Sequence, residues 1–300
     1  MSARAAGSAS SALRATKESK ERRLCLGSHL SVAGGAWKAV DEAIALRLRS
    51  LQIFSKNASR WEQRPIAEEE AERFRERRAA WGDGPVFSHA SYLINLAADG
   101  ELAEKSREAL ADELDRAATL GLAGVVQHPG AHVGAGVDAG IERIARAARW
   151  ALERAPPGPR LILENTAGAG STLGRSFEEL GALLAAIDLP ERTGVCLDTC
   201  HLLAAGYELR TAEGFAATMA ELERRIGAER VQCWHLNDSR GDLGSHLDRH
   251  EHIGQGKLGK GAFRLLLADA RFFGVPKILE TPKEGDADRA NLALLRRLGT

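Results

Sequence analysis

Short apolar runs recur along this chain, each followed by a polar turn and then a helical stretch. They lie at 24–27, 51–54, 85–88, 124–127, 161–163, 194–197, 231–234 and 277–279. Between them fall amphipathic segments such as 66–80, 102–120, 139–154 and 212–226. Strands this short and apolar, alternating with helices, must be covered on both faces, which implies a parallel sheet. Eight repeats in 300 residues point to a single closed (β/α)8 TIM barrel, with an open doubly wound sheet as the second choice. A dinucleotide fold has little support, because Gly34-Gly35 follows the first run where a G-x-G-x-x-G would be needed.

Composition narrows the class further. Hydrophobic residues at 44% and charged residues at 27% fit an ordinary globular protein, and no apolar run reaches the length of a membrane span. The four cysteines (Cys25, Cys196, Cys200, Cys233) sit in apolar, strand-like surroundings. That usage reads as reduced, buried thiols of a cytoplasmic protein, with Cys196 and Cys200 preferred as structural residues over zinc ligands. Residues 1–22, rich in Ser, Ala and Arg, have no strand or helix period. A disordered extension is preferred there over a transit peptide, and the domain proper is taken as 23–300. Lys plus Arg equals Asp plus Glu at 41 each, which speaks against a generally basic nucleic-acid binder unless bound cations add charge that the count omits.

In a barrel of this kind the working residues lie at the C-terminal ends of the strands. Reading past each run gives His29, Lys56, His89, His128, Glu164, Asp198 with His201, His235 and Glu280, and the segment after His235 adds Asp248 and His250. Asp198 and His201, three apart where a strand turns into a loop, need not aim at one point. They can serve two neighbouring ions, although a D-x-x-H alone is more often a capped strand end. Nine probable donors, His89, His128, Glu164, Asp198, His201, His235, Asp248, His250 and Glu280, are too many for one ion and suit three with a bridging carboxylate. Imidazole and carboxylate without thiolate favour hydrolytic Zn2+, with Mn2+ as the alternative. Three divalent ions against four carboxylates leave a positive pocket, so an anionic substrate follows, and phosphoester hydrolysis suits closely spaced metals.

The chain resembles the endonuclease IV family of apurinic/apyrimidinic endonucleases from about Gly27 to its last helix. The resemblance is carried, in order, by Gly27-Ser28-His29-Leu30-Ser31 with Gly34-Gly35, His89-Ala90-Ser91-Tyr92-Leu93-Ile94-Asn95-Leu96, His128-Pro129-Gly130 and Glu164-Asn165-Thr166-Ala167-Gly168. It continues through Cys196-Leu197-Asp198-Thr199-Cys200-His201, His235-Leu236-Asn237-Asp238, Asp248-Arg249-His250-Glu251-His252-Ile253-Gly254 and Leu279-Glu280-Thr281. It implies a trinuclear zinc barrel that cuts duplex DNA 5′ to an abasic site, leaving a 3′-hydroxyl and a 5′-deoxyribose phosphate. By motif, His89, His128 and Glu164 would hold one zinc. Glu164, as bridge and catalytic carboxylate, would hold a second with Asp198, His235 and Glu280. His201, Asp248 and His250 would hold the third.

The resemblance also implies two loops that enter the DNA, one carrying Asn57 and Arg60 and ending in Trp61, the other carrying Tyr92 and Leu93. Some members place an arginine two positions before the tryptophan, where this chain has Ser59, so Arg60 is the candidate here. His29 is read as a hydrogen-bonded pocket wall, His132 and His252 as partners of ligands or phosphate, and His246 as loop surface. The runs Glu68-Glu69-Glu70 and Arg75-Glu76-Arg77-Arg78 are read as solvated helix faces. A monomer without an obligate protein partner or membrane contact is expected. Two rivals stand beside this reading: a sugar isomerase or epimerase on the same kind of barrel, and a protein that binds damaged DNA without cutting it.

Overall fold

In a computed structural model, which describes residues 23–62, 64–82 and 84–299, the chain forms the closed parallel barrel that the repeat pattern predicts. The predicted extension at 1–22 lies outside the described residues. The barrel strands are β1 (Leu26–His29), β2 (Ser50–Phe54), β3 (Val86–His89), β4 (Gly124–Gln127), β5 (Arg160–Glu164), β6 (Thr193–Asp198), β7 (Val231–His235) and β8 (Lys277–Leu279). Each pairs in parallel with its neighbours in chain order, and β8 closes the ring against β1.

Helices α1 (Ala36–Ala45), α2 (Glu68–Trp81), α3 (Gly100–Thr119), α4 (Val137–Arg154), α5 (Phe177–Ile187), α6 (Thr199–Ala205), α7 (Ala212–Arg225), α8 (Gly259–Ala268) and α9 (Ala287–Leu298) alternate with them. Two helices, α6 and α7, separate β6 from β7. The link from β7 to β8 carries a two-stranded antiparallel ladder that pairs Ser239 with His250 and Asp238 with Glu251. No helix among the described residues is long and apolar enough to cross a membrane.

The pleat sorts each strand's side chains into two sets. Leu51, Ile53, Val86, Val125, Leu161, Leu163, Val195, Leu197, Val231 and Trp234 face outward into the core shared with the helices. Phe87, Val126, Ile162, Cys196 and Cys233 form a separate apolar layer inside the barrel. A register shift where β6 meets β7 pairs Val195 with Val231 but Cys196 with Cys233. The extra residue, Gln232, returns Cys233 and then His235 to the inside, as a bulge does.

Counting two residues up from each member of that inner layer reaches His89, His128, Glu164, Asp198 and His235. The site therefore stands on the barrel's own filling. All four cysteines are buried and unpaired, as their apolar setting implies.

The charged runs of α2 are largely exposed, as expected. The arginines of α2 are more than a solvated face: Arg75 Nη1 donates to the Thr119 carbonyl at 2.8 Å and Arg78 donates to the Gly121 carbonyl. Both cap the carbonyl end of α3, where a cation is favoured.

Beneath the apolar layer the barrel narrows onto glycine. A Cβ at Gly124 would stand 2.7 Å from both the Arg160 carbonyl oxygen and Ile162 Cδ1. Because the first of these is backbone, the contact cannot be relieved by a side-chain turn. Gly124→Ala is expected to cost about 1–3 kcal/mol as overpacking and to lower the thermal midpoint by about 2–4 °C per kcal/mol. A melting curve superimposable on the parent's would show that the layer is looser than this.

Candidate metal centre

The side chains predicted as donors sit on the last residues of β3, β5, β6 and β7, on the residues just after β4 and β8, in the first turn of α6, on the loop leading to the ladder (Asp248) and on the ladder itself (His250). Their donor atoms fall into three adjoining groups, in each of which all lie within 4.8 Å of one another: His89 with His128 and Glu164; Glu164 with Asp198, His235 and Glu280; His201 with Asp248 and His250. The structure brings all nine together.

Glu164 is the hinge between the first two groups. It is fully buried. Its Oε2 lies 3.1 Å from His89 Nε2 and 3.3 Å from His128 Nε2, while its Oε1 lies 2.8 Å from His235 Nδ1. Glu280 Oε2 approaches the same His235 nitrogen at 3.0 Å. Asp198 links the second group to the third, since its Oδ2 lies 3.6 Å from His250 Nε2. Asp248 Oδ1 lies 3.2 Å from His201 Nε2 and 3.5 Å from His250 Nε2. The D-x-x-H pair thus points into two different groups. Asp198 also caps α6 through a bond from the His201 amide at 2.9 Å, so the bland reading of that pair holds alongside the sharp one.

Backbone carbonyls fix the ring orientations. His89 Nδ1 bonds to the Ala90 carbonyl at 2.8 Å, His201 Nδ1 to that of Asn165 at 2.9 Å and His250 Nδ1 to that of Glu280 at 3.1 Å. A neutral ring that donates from Nδ1 presents a lone pair at Nε2, the arrangement in which histidine ligates metals. His235 is reversed: its Nε2 meets Gln52 Oε1 at 2.8 Å, which leaves Nδ1 facing two carboxylates.

Lone pairs aimed at carboxylate oxygens repel unless a proton or a cation stands between them. With protons alone, burial pulls His201 down, but Asp198, Asp248 and Glu164 together push it up to about 10. Burial raises Asp248, yet His201 beside it and the charges of His250 and His128 bring it down to about 2. Against the same penalty of burial, His235 is driven upward by Glu280 and Glu164, and both carboxyls are held well below the usual range by the histidines around them. Even so, His201 Nε2 and His250 Nε2 are buried without a hydrogen-bond partner. Such atoms are rare in native proteins and call for an ion or ligand. Five imidazoles and four carboxylates, with backbone carbonyls on the other nitrogens of three rings and Gln52 on a fourth, fit divalent zinc in two or three adjacent sites.

The floor deepens toward Glu164 and opens toward the third group, whose Asp248 side chain is 53% exposed. A cavity of about 340 Å³ reaches it past His128, Gly130 and Thr166, and a second of about 690 Å³ reaches it past Leu30, Ala58 and Lys283. Tyr92 lines both, 68% exposed. Its ring stands edge-on to Phe54 with centroids 5.7 Å apart, and 5.5 Å from that of His89. Asn57 and Arg60 are exposed on the rim and Leu93 is half-buried. A short turn holds Asn57, whose Oδ1 accepts from the Ser59 amide at 2.9 Å.

Other sequence candidates do not enter the centre. Lys56 is buried and pairs with Asp112 at 2.8 Å. Trp61 packs half-buried against the core. His29 is a hydrogen-bonded wall, with Nδ1 3.2 Å from Glu280 Oε1. His132 departs from its predicted role, because its Nδ1 accepts the Gly136 amide at 3.1 Å and braces its own loop. His252 reaches Thr281 only through Asn291. His246 lies on the surface loop, as expected, and pins it to the Ala167 carbonyl at 3.0 Å.

Sequence reasoning missed Gln52, which touches three groups at once: Nε2 donates to Glu280 Oε1 at 2.6 Å and lies 3.0 Å from His29 Nδ1, while Oε1 meets His235. The signal was there, a single polar residue at an inward position of an otherwise apolar run. Asn237 was quoted in a motif but given no role; its Nδ2 donates to Asp198 Oδ2 at 2.6 Å and its Oδ1 accepts the Glu280 amide at 2.9 Å. Because Gln52 orients two donors without being one, Gln52→Ala should weaken metal retention by about 10–100-fold. Competition against a chelator measures this, and wild-type retention would mean that His235 and Glu280 are positioned without it.

A family model described as a xylose isomerase-like TIM barrel matches residues 40–298. A relative from Chloroflexus aurantiacus named "Probable endonuclease 4" is 50% identical over 276 residues, covering 91% of this chain and 97% of its own. The crystal structure of endonuclease IV from Thermus thermophilus superposes with a TM-score of 0.83 at 45% identity, covering 91% of this chain and 98% of that one. A D-tagatose 3-epimerase-like protein superposes at 0.67 with 19% identity, covering 91% and 96%, a likeness of fold alone. With its barrel, its motifs and these identities, the chain belongs to the endonuclease IV family.

Proposed function

We propose that this protein is a DNA-repair enzyme that hydrolyses the phosphodiester bond 5′ to an abasic site in duplex DNA, leaving a 3′-hydroxyl and a 5′-deoxyribose phosphate. The observation that carries the reading is the sharing of Glu164: one buried carboxylate faces two histidine groups through its two oxygens, and a third group of donors adjoins them. His89, His128 and Glu164 would hold one zinc; Glu164, Asp198, His235 and Glu280 a second; His201, Asp248 and His250 a third. Zinc there supplies activation of water and Lewis-acid stabilisation of the phosphoryl and departing oxygens.

The chain's own residues do the rest. Glu164 acts as the catalytic carboxylate by keeping the first two donor groups at a fixed separation. Gln52 and Asn237 hold Glu280, His235 and Asp198 in register with it. At the rim, Tyr92 and Leu93 fill the gap left by a missing base, and Asn57 and Arg60 grip the backbone. An abasic duplex lacks stacking at the lesion, so it bends and gives up its sugar at low cost, and selection rests on shape. The protein works as a cytoplasmic monomer, because the duplex must lie across an open mouth.

A sugar epimerase reading accounts for the fold but not for the donors. One or two ions and a proton-transferring base would leave His201, Asp248 and His250 without a task.

The test is nicking of a labelled duplex with one central abasic analogue beside its undamaged twin, using zinc-replete protein. Cleavage only on the 5′ side of the lesion, with a 3′-hydroxyl end, is expected. His201→Ala should lower it by more than the ~100-fold upper range for losing a ligand's partner. Tight binding without cleavage in protein carrying three zincs would favour the damage-binding rival. Full-rate cleavage by His201→Ala with all three zincs retained would remove the third group from the mechanism.

A further inference from the structure

The sequence marks Lys56 as a strand-end residue, yet its side chain turns away from the metal centre and is 1% exposed. It enters a buried polar network on α3 that touches both rim loops. Lys56 Nζ lies 2.8 Å from Asp112 Oδ2 and 3.9 Å from Glu113 Oε1. Glu113, equally buried, accepts a bond from Ser55 Oγ at 2.6 Å with one oxygen and from the Ser91 amide at 3.1 Å with the other. Ser55 belongs to the loop after β2, and Ser91 immediately precedes Tyr92 and Leu93. One turn on, Arg116 donates to the Ser55 carbonyl at 2.8 Å and to that of Arg64 at 2.9 Å. The loops are also joined directly, since Ser91 Oγ donates to the Ala58 carbonyl at 2.7 Å.

We propose that Glu113 is a positioning residue for lesion recognition: by holding Ser55 with one oxygen and Ser91 with the other, it locks the Asn57–Arg60 turn and the Tyr92–Leu93 pair into one rigid jaw. The proposal rests on the abasic-DNA reading above for the jaw's purpose, but the latch itself stands on the hydrogen bonds. A buried carboxylate whose charge is met by Lys56 and by donors from two loops cannot release one loop without leaving its own oxygen unpaired, a costly state. Binding then loses little entropy in ordering the loops, so the latch should act on the affinity for damaged DNA.

The test uses full-length, zinc-loaded Glu113→Ala and Glu113→Gln. Glutamine can still accept the Ser91 amide and share a bond with Ser55, so it serves as the conservative rescue. For Glu113→Ala, hydrogen exchange should rise together in peptides covering 55–62 and 90–95. The KM for an abasic duplex should rise about tenfold or more, with kcat within about twofold and zinc content intact. Glu113→Gln should restore most of both. If the alanine variant does not fold, Ser55→Ala, which removes the bond from Ser55 Oγ to Glu113, carries the same expectation in smaller degree.

Exchange that rises in one loop alone would overturn the latch. So would an unchanged KM, or a fall in kcat and zinc content that matches the rise in KM. Parent protein that fails to nick abasic DNA would count against the nuclease reading instead, and the exchange result would still judge the latch.

Discussion

A carboxylate sealed from solvent needs positive charge within reach, and Glu164 sets that requirement at the centre of this molecule. Three histidines approach its two oxygens within 3.3 Å, and His201 stands 3.7 Å away. Three of these rings are held in place, His89 by the Ala90 carbonyl and His235 by Gln52 through their far nitrogens, and His201 by the Asn165 carbonyl. Removing the positive partner would leave an uncompensated buried charge, one of the more destabilising defects a protein can carry. The barrel mouth is therefore built for cations, and the rim residues are arranged around a charged floor.

The barrel makes this arrangement simple to specify. A two-residue period carries each inward apolar residue to an inward donor at the strand end, so the layer that fills the barrel also aims the site. Among the described strands, the bulge at Gln232 is the one place where the period is broken, and it is broken in the direction that puts His235 inside. The rim follows another rule. Its two principal loops are tied to α3 by buried hydrogen bonds and an ion pair rather than by apolar packing. Such ties hold a loop in one geometry while leaving its tip exposed to a ligand.

Much of this was legible in the sequence. The alternation of runs gave the barrel, and the residues following the runs, with Asp248 and His250 from the segment after His235, gave the nine side chains that the structure brings together, because donor chemistry at strand ends leaves a local trace. Several strands extend one residue beyond their apolar run to end on the donor itself, as at His89, Asp198 and His235, since hydrophobicity does not report where the hydrogen-bond ladder stops. What was not legible depends on contacts between distant segments. Lys56 looked like a site residue until α3 supplied Asp112 and Glu113. His132 looked like a partner of the site but serves its own turn. Gln52 carried no recognisable motif, and its role exists only where β1, β2, β7 and β8 meet. The histidine tautomers likewise depend on carbonyls that only the folded chain brings into place.

The most direct test of the central claim is anomalous diffraction at the zinc edge from crystals of the zinc-loaded protein. Three peaks are predicted, one within each donor group, with Glu164 contacting two of them. A single peak on His89, His128 and Glu164 alone, or density on the buried Cys196 and Cys233 instead, would contradict the account.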